Sequence, residues 1–67
     1  MKIVILEHIG DTGNWEWYNI YQAKIATPKQ AIKSYLTDMS LDKQKIIRKG
    51  DEWYAEFDDV RAFYYEI

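Results

Sequence analysis

Cysteine is absent from these 67 residues, histidine and proline occur once each, and glycine three times. Without cysteine no disulfide or thiolate ligand can staple a chain this close to the lower size limit for independent folding, so burial must do that work. The same absence fits a reducing compartment, and a cytoplasmic location is expected. The single histidine, His8, leaves no histidine cluster for zinc. Long apolar runs are missing too. The longest is the four residues 3–6 (Ile-Val-Ile-Leu), far from the roughly 20 that cross a bilayer and too short for the apolar region of a signal peptide. No membrane partner is expected.

The motifs of common chemistries are equally scarce. Gly10-Asp11-Thr12-Gly13 is not followed by the Gly-Lys-Ser/Thr that lets a loop cradle phosphate, and it reads as a hairpin connection. No calcium-loop spacing of acids occurs. Ser34 lies inside an expected helix and Ser40 near its end, neither beside a base that would activate it. The carboxylate pairs Glu52/Glu56 and Asp58/Asp59 belong to a chain too small to close a water-excluding cleft around them. The reading is a non-enzyme with no cofactor and no metal.

What the chain has in plenty is aromatic surface. Three Trp, six Tyr and two Phe fall in clusters at 15–21, 53–57 and 63–65. Many of these rings are expected inside, since they are the largest apolar side chains available. A core this small cannot take them all, and the surplus marks a binding surface.

Charge is segregated under a net −2. Residues 1–23 carry a net −2 and residues 51–67 a net −5, whereas residues 24–50, with six lysines and Arg48 against Asp38 and Asp42, carry +5. Oppositely charged elements packed side by side account for this most simply, and a stripe turned toward a partner is the sharper alternative.

Residues 3–6, β-branched and bounded by charge, predict a strand with both faces covered. Residues 9–14 have loop composition. Period-two alternation predicts a strand from Trp15 to Ala26 with odd positions inward, placing Trp17 and Tyr21 in the core and Trp15 and Tyr18 on opposite faces. Helical spacing also fits there, but aromatic enrichment favours a strand. Thr27-Pro28-Lys29-Gln30 is a capping box with proline at the first helical position, and Ala31, Ile32, Tyr35, Leu36 and Met39 form one stripe. A helix over about 28–39 follows. Residues 45–49 and 52–57 read as a hairpin turning at Gly50-Asp51, against a rival in which the helix runs on to Gly50. In its second strand Trp53, Ala55 and Phe57 share one face and Glu52, Tyr54 and Glu56 the other. Asp58-Asp59 turns the chain into 60–67, a strand by its aromatics although Val60, Phe63, Tyr64 and Ile67 also have helical spacing.

The sum is one α+β domain: a small antiparallel sheet of four or five strands with one helix on one face. The other face must be shielded by its own bulky side chains or by another molecule. Protein recognition is therefore the leading reading, through Trp15, Trp17 and Tyr18, with Glu52, Tyr54 and Glu56 second. The acidic residues suit a partner with a basic groove, and a homodimer is the other expectation. Single-stranded nucleic acid, held by sheet aromatics and the lysines of 24–49, is the alternative. The net acidity and the absence of a basic residue between Trp15 and Tyr21 count against it. In size, acidity and aromatic content the chain resembles small accessory proteins of bacteriophages and mobile elements. No motif carries that likeness, and it implies a protein that binds and inhibits a host protein.

Overall fold

The computed structural model describes residues 1–57 and 59–67. Its elements run β1 (Lys2–Ile9), β2 (Trp15–Gln22), α1 (Pro28–Asp38), β3 (Ile46–Lys49), β4 (Glu52–Ala55) and β5 (Val60–Glu66). The strands form one sheet in the order β2-β1-β5-β4-β3, antiparallel at every pairing. The helix lies across β5, β1 and β4. β1 is central in the sheet, paired with β2 at one edge and β5 at the other. The expectation that both its faces are covered holds on one side only: Val4 and Leu6 lie in the core, whereas Ile3 and Ile5 belong to the face opposite the helix. The expected turn at Asp58 lies outside the described residues.

Thr27 caps α1 as its sequence foretells. Its hydroxyl accepts from the Gln30 amide at 3.2 Å, and the Gln30 side chain accepts from the Thr27 amide at 2.9 Å. The helix ends one residue earlier than expected, at Asp38, because the next residues close a C-terminal cap. Leu41 donates to the Leu36 carbonyl at 2.7 Å and Ser40 to the Thr37 carbonyl at 3.1 Å, with Ser40 in the left-handed region at φ 58°. Residues 46–49 form a strand, not a continuation of the helix. The hairpin turns on Gly50 at φ 62°, the first central position, where a side chain would be strained.

The core lies between helix and sheet, and it is not aromatic. Val4, Leu6, Ala31, Ile32, Leu36, Ala55, Val60 and Ala62 are the buried cluster. None of the eleven aromatic residues, all of them described, is buried; Tyr21, Tyr35 and Trp53 only flank the cluster. The expectation that many rings fill the interior is thus corrected. Alanine at 31, 55 and 62 draws the helix close to the sheet, and that leaves no volume for a ring between them.

A second correction concerns β2. Leu6 pairs with Asn19 and Glu7 with Trp17, so Tyr18 has no partner across the ladder. This one-residue bulge reverses the face of everything after it. Tyr21, opposite Val4, points under the helix and packs on the core. Trp17, opposite Glu7, points away from the helix and is 63% exposed. The strand also stops at Gln22 rather than Ala26. Along β4 the alternation holds as expected for Trp53 and Ala55 against Glu52 and Tyr54, but the strand ends there. Phe57 and Glu56 lie in the turn beyond it, both exposed.

Candidate interaction surface

Among the described residues no helix covers the second face of the sheet. Pairing places one row across it from Trp17 through Glu7, Arg61 and Tyr54 to Ile47, and the next from Ile20 through Ile5 and Phe63 to Glu52 and Lys49. Ile3 and Tyr65 continue it at the end where β1 begins. The two halves of this face differ in chemistry.

One part of the face, running from Trp15 on β2 to Tyr54 on β4, is a closed polar and aromatic stack. Arg61 Nε donates to Glu7 Oε1 at 2.8 Å, with both side chains about one-fifth exposed. The guanidinium lies under the Trp15 ring at 4.3 Å. Trp15 meets Tyr54 edge to face at 6.1 Å, and Lys49 Nζ sits 5.0 Å from the Tyr54 ring. The Tyr54 hydroxyl donates to Glu52 Oε1. That bond, and then burial, raises the Tyr54 pKa above the ordinary phenol value, against an opposing pull from Arg61. Burial alone would lower the Arg61 pKa, but Glu7 and Tyr54 outweigh it and raise it, so the guanidinium stays charged. Each polar group here has an internal use.

The other part, on β2, β1 and β5, is apolar and uncovered. Trp17, Ile20 and Tyr65 are 63%, 45% and 51% exposed, around a floor formed by the half-buried Ile5 and Phe63 and the buried Ile3. Glu7, Glu52, Arg61 and Lys49 together leave the whole face without net charge.

Of the six residues expected from the sequence, Trp15, Trp17, Tyr54 and Glu52 share this face. Tyr18 does not. The bulge turns it to the helix side, where it packs edge-on against His8 at 4.9 Å and Tyr35 at 5.0 Å. Glu56 stands beyond the end of β4 and accepts, at 3.4 Å, from the Lys45 amide. Ile20, Phe63, Tyr65, Glu7 and Arg61 were missed. Val60 and Ala62 alternate with Arg61 and Phe63, and that spacing of small residues was a usable signal of which side of the last strand lies under the helix. The Glu7–Arg61 contact spans 54 positions and left no trace in the local pattern.

Two other features bear on chemistry. His8 Nδ1 lies 3.5 Å from the Tyr35 hydroxyl at the end of the helix–sheet interface, and burial, then the Asp59 carboxylate, raise the Tyr35 pKa. Among the described residues no three His, Asp or Glu side chains gather in a way that would hold a metal ion, and no helix is long and apolar enough to cross a membrane. Comparison with known proteins returns no matching family model, no matching curated protein and no matching solved structure.

Proposed function

We propose that this chain is a non-catalytic protein-binding module whose contact surface is the uncovered sheet face. The observation that carries the reading is the exposure of Trp17 beside Ile20 and Tyr65 on a face that no element covers. An aromatic side chain offers about 150–250 Å². At their exposures these two rings alone contribute roughly 200 Å², and the neighbouring isoleucines and Phe63 bring the patch to the few hundred Å² that mark interaction sites.

The chemistry of the partner follows from the charges. Glu52 is engaged by Tyr54 and Glu7 by Arg61, so the face presents rings rather than free carboxylates. An apolar, electroneutral protein surface suits it better than a basic groove. An inhibitor that blocks a surface of a host protein is one form such a module takes. The face, rather than the β2 edge, is the contact surface. Ala23 donates inward to Lys2, and alternation then turns the Ile20 amide outward, where the chain's own Asn19 side chain accepts from it at 2.8 Å. A strand added at this edge would have to displace that bond.

The test is site-specific photo-crosslinking in the source cell, with a benzophenone amino acid at position 17 and, as control, at position 25, where Ile25 is 74% exposed away from the sheet. A discrete adduct from position 17 and none from position 25 supports the reading. An adduct of twice the chain mass identifies the occupant as a second copy. Equal labelling from both positions, or none from position 17, ends it.

A further inference from the structure

The lysines that the sequence concentrates in residues 24–50 play no part in the contact face described above, Lys49 excepted. Lys29 and Lys33 stand one helical turn apart on α1 and line a groove between the helix and the segment leading into β3. Lys45 lines the groove with them. Leu36 and Ile46 supply apolar walls, Thr37 and Gln44 polar ones, and the volume is about 430 Å³. Asp42 is the one acid in the lining. Across the ladder from Lys45, Glu56 takes the Lys45 backbone amide instead. Among the described residues no carboxylate lies within ion-pair distance of the Lys29, Lys33 or Lys45 ammonium groups.

Local rules of helix stability run against this arrangement. Lys29 stands in the first turn, at the positive end of the helix dipole, and no acid accompanies it there. Lys33 follows at the i+4 position, where like charges repel. At the other end Asp38 occupies the last turn, with no base, again opposite to what the dipole favours. Broken local rules cluster where function outweighs stability. An anion in the groove would relieve the strain at Lys29 and Lys33 together.

We infer that the groove between α1 and the segment before β3 is a phosphate-binding site, recognising phosphate groups through Lys29, Lys33 and Lys45. The ligand is either a phosphodiester backbone or a small free phosphate, and the two sources share this chemistry. The site lies on the helix side of the sheet, so it stands or falls independently of the apolar contact face.

The experiment is fluorescence anisotropy of an end-labelled oligothymidylate of about 15 nucleotides with the full chain at low salt, and, in parallel, inorganic phosphate as titrant and as competitor. Three lysine–phosphate contacts on a single strand predict a slope of log K against log salt of about −2. The double variant Lys29→Glu with Lys33→Glu is expected to weaken binding about tenfold or more. Lys2→Glu with Lys24→Glu changes net charge equally, away from the groove, and is expected to change binding by less than about twofold. The groove variant should also melt no lower than the parent, since Lys29→Glu places an acid where the dipole favours one; loss of binding is then not loss of fold. Binding of inorganic phosphate alone, abolished in the groove variant, assigns the site to free phosphate. Equal losses in the two double variants, no binding of either probe at low salt, or binding that Trp17→Phe abolishes would overturn the assignment.

Discussion

Along β5 the side chains under the helix begin Val60 and Ala62, while those on the opposite side are Arg61, Phe63 and Tyr65. The same contrast runs through β4, where Ala55 is buried under the helix and Tyr54 lies on the uncovered face. Directly beneath the helix the sheet offers small and aliphatic residues that let it approach, with Tyr21, Trp53 and Tyr64 beside them on that same side. On the opposite face Trp17 and Tyr65 stand up from the sheet with no helix over them. The covered face is finished: its buried cluster is wholly aliphatic, and among the described residues none that is buried is polar. The uncovered face is half finished, with its polar groups matched to one another and its apolar groups left in water. A protein that needed only to fold has no use for that second arrangement, because exposed rings stabilise little and invite association.

If the two faces differ in this way, truncating each should give very different costs. Ile32 is fully buried between helix and sheet, and Ile32→Ala is expected to cost about 2–5 kcal/mol, enough to unfold much of a domain this size at ordinary temperature. Trp17→Ala removes a larger side chain, yet its cost is expected to stay within about 0.5 kcal/mol because most of that ring already faces water. Urea unfolding of the two variants decides the matter. A cost for Trp17→Ala approaching that of Ile32→Ala would mean that the ring is covered in solution and that the uncovered face is not open.

The Glu7–Arg61 pair tests the polar half of the open face. Its two side chains are mostly shielded and the bond is short at 2.8 Å, so a double-mutant cycle with Glu7→Gln and Arg61→Met should show coupling of about 1 kcal/mol, above what surface pairs give. Arg61→Met alone should cost more than Glu7→Gln, because it also removes the cation from beneath Trp15. Equal single costs with no coupling would reduce the stack to ordinary surface contacts.

What could be read from the chain was what depends on near neighbours. The Thr27–Gln30 capping box, the Gly50 turn and the strand at β1 each rest on a few adjacent residues, and each is found where their chemistry put it, although only one face of β1 lies under the helix. The last segment is a strand, as its aromatics favoured. The side to which β2 turns its rings could not be read, because a single unpaired residue, Tyr18, exchanges the faces after it. A bulge is decided by the register against β1, not by the composition of β2. The same limit misplaced the core: alanines look weak as core formers in a sequence, and only their alignment at 31, 55 and 62 beneath one helix shows that closeness, not bulk, fills this interior.

The smallest effect separates the two faces by titration. Tyr35 is on the helix side and Tyr54 on the uncovered side, and both phenols are raised above their ordinary value of about 10. The first is raised chiefly by burial, the second chiefly by its bond to Glu52. A group raised in the folded state holds its proton more tightly there, so it adds stability below its unfolded pKa. That contribution fades as pH climbs through the folded value, and both tyrosines should therefore make the domain weaker above about pH 10. Glu52→Gln removes the chief cause at Tyr54 and leaves Tyr35 untouched. Phenolate absorbance across an alkaline titration should show Tyr54 ionising earlier in this variant than in the parent chain, with the late ionisation of Tyr35 unchanged. If Tyr35 moved as well, the two faces would be electrostatically joined through the sheet, and the separation between a closed helix side and an independent contact side would have to be given up.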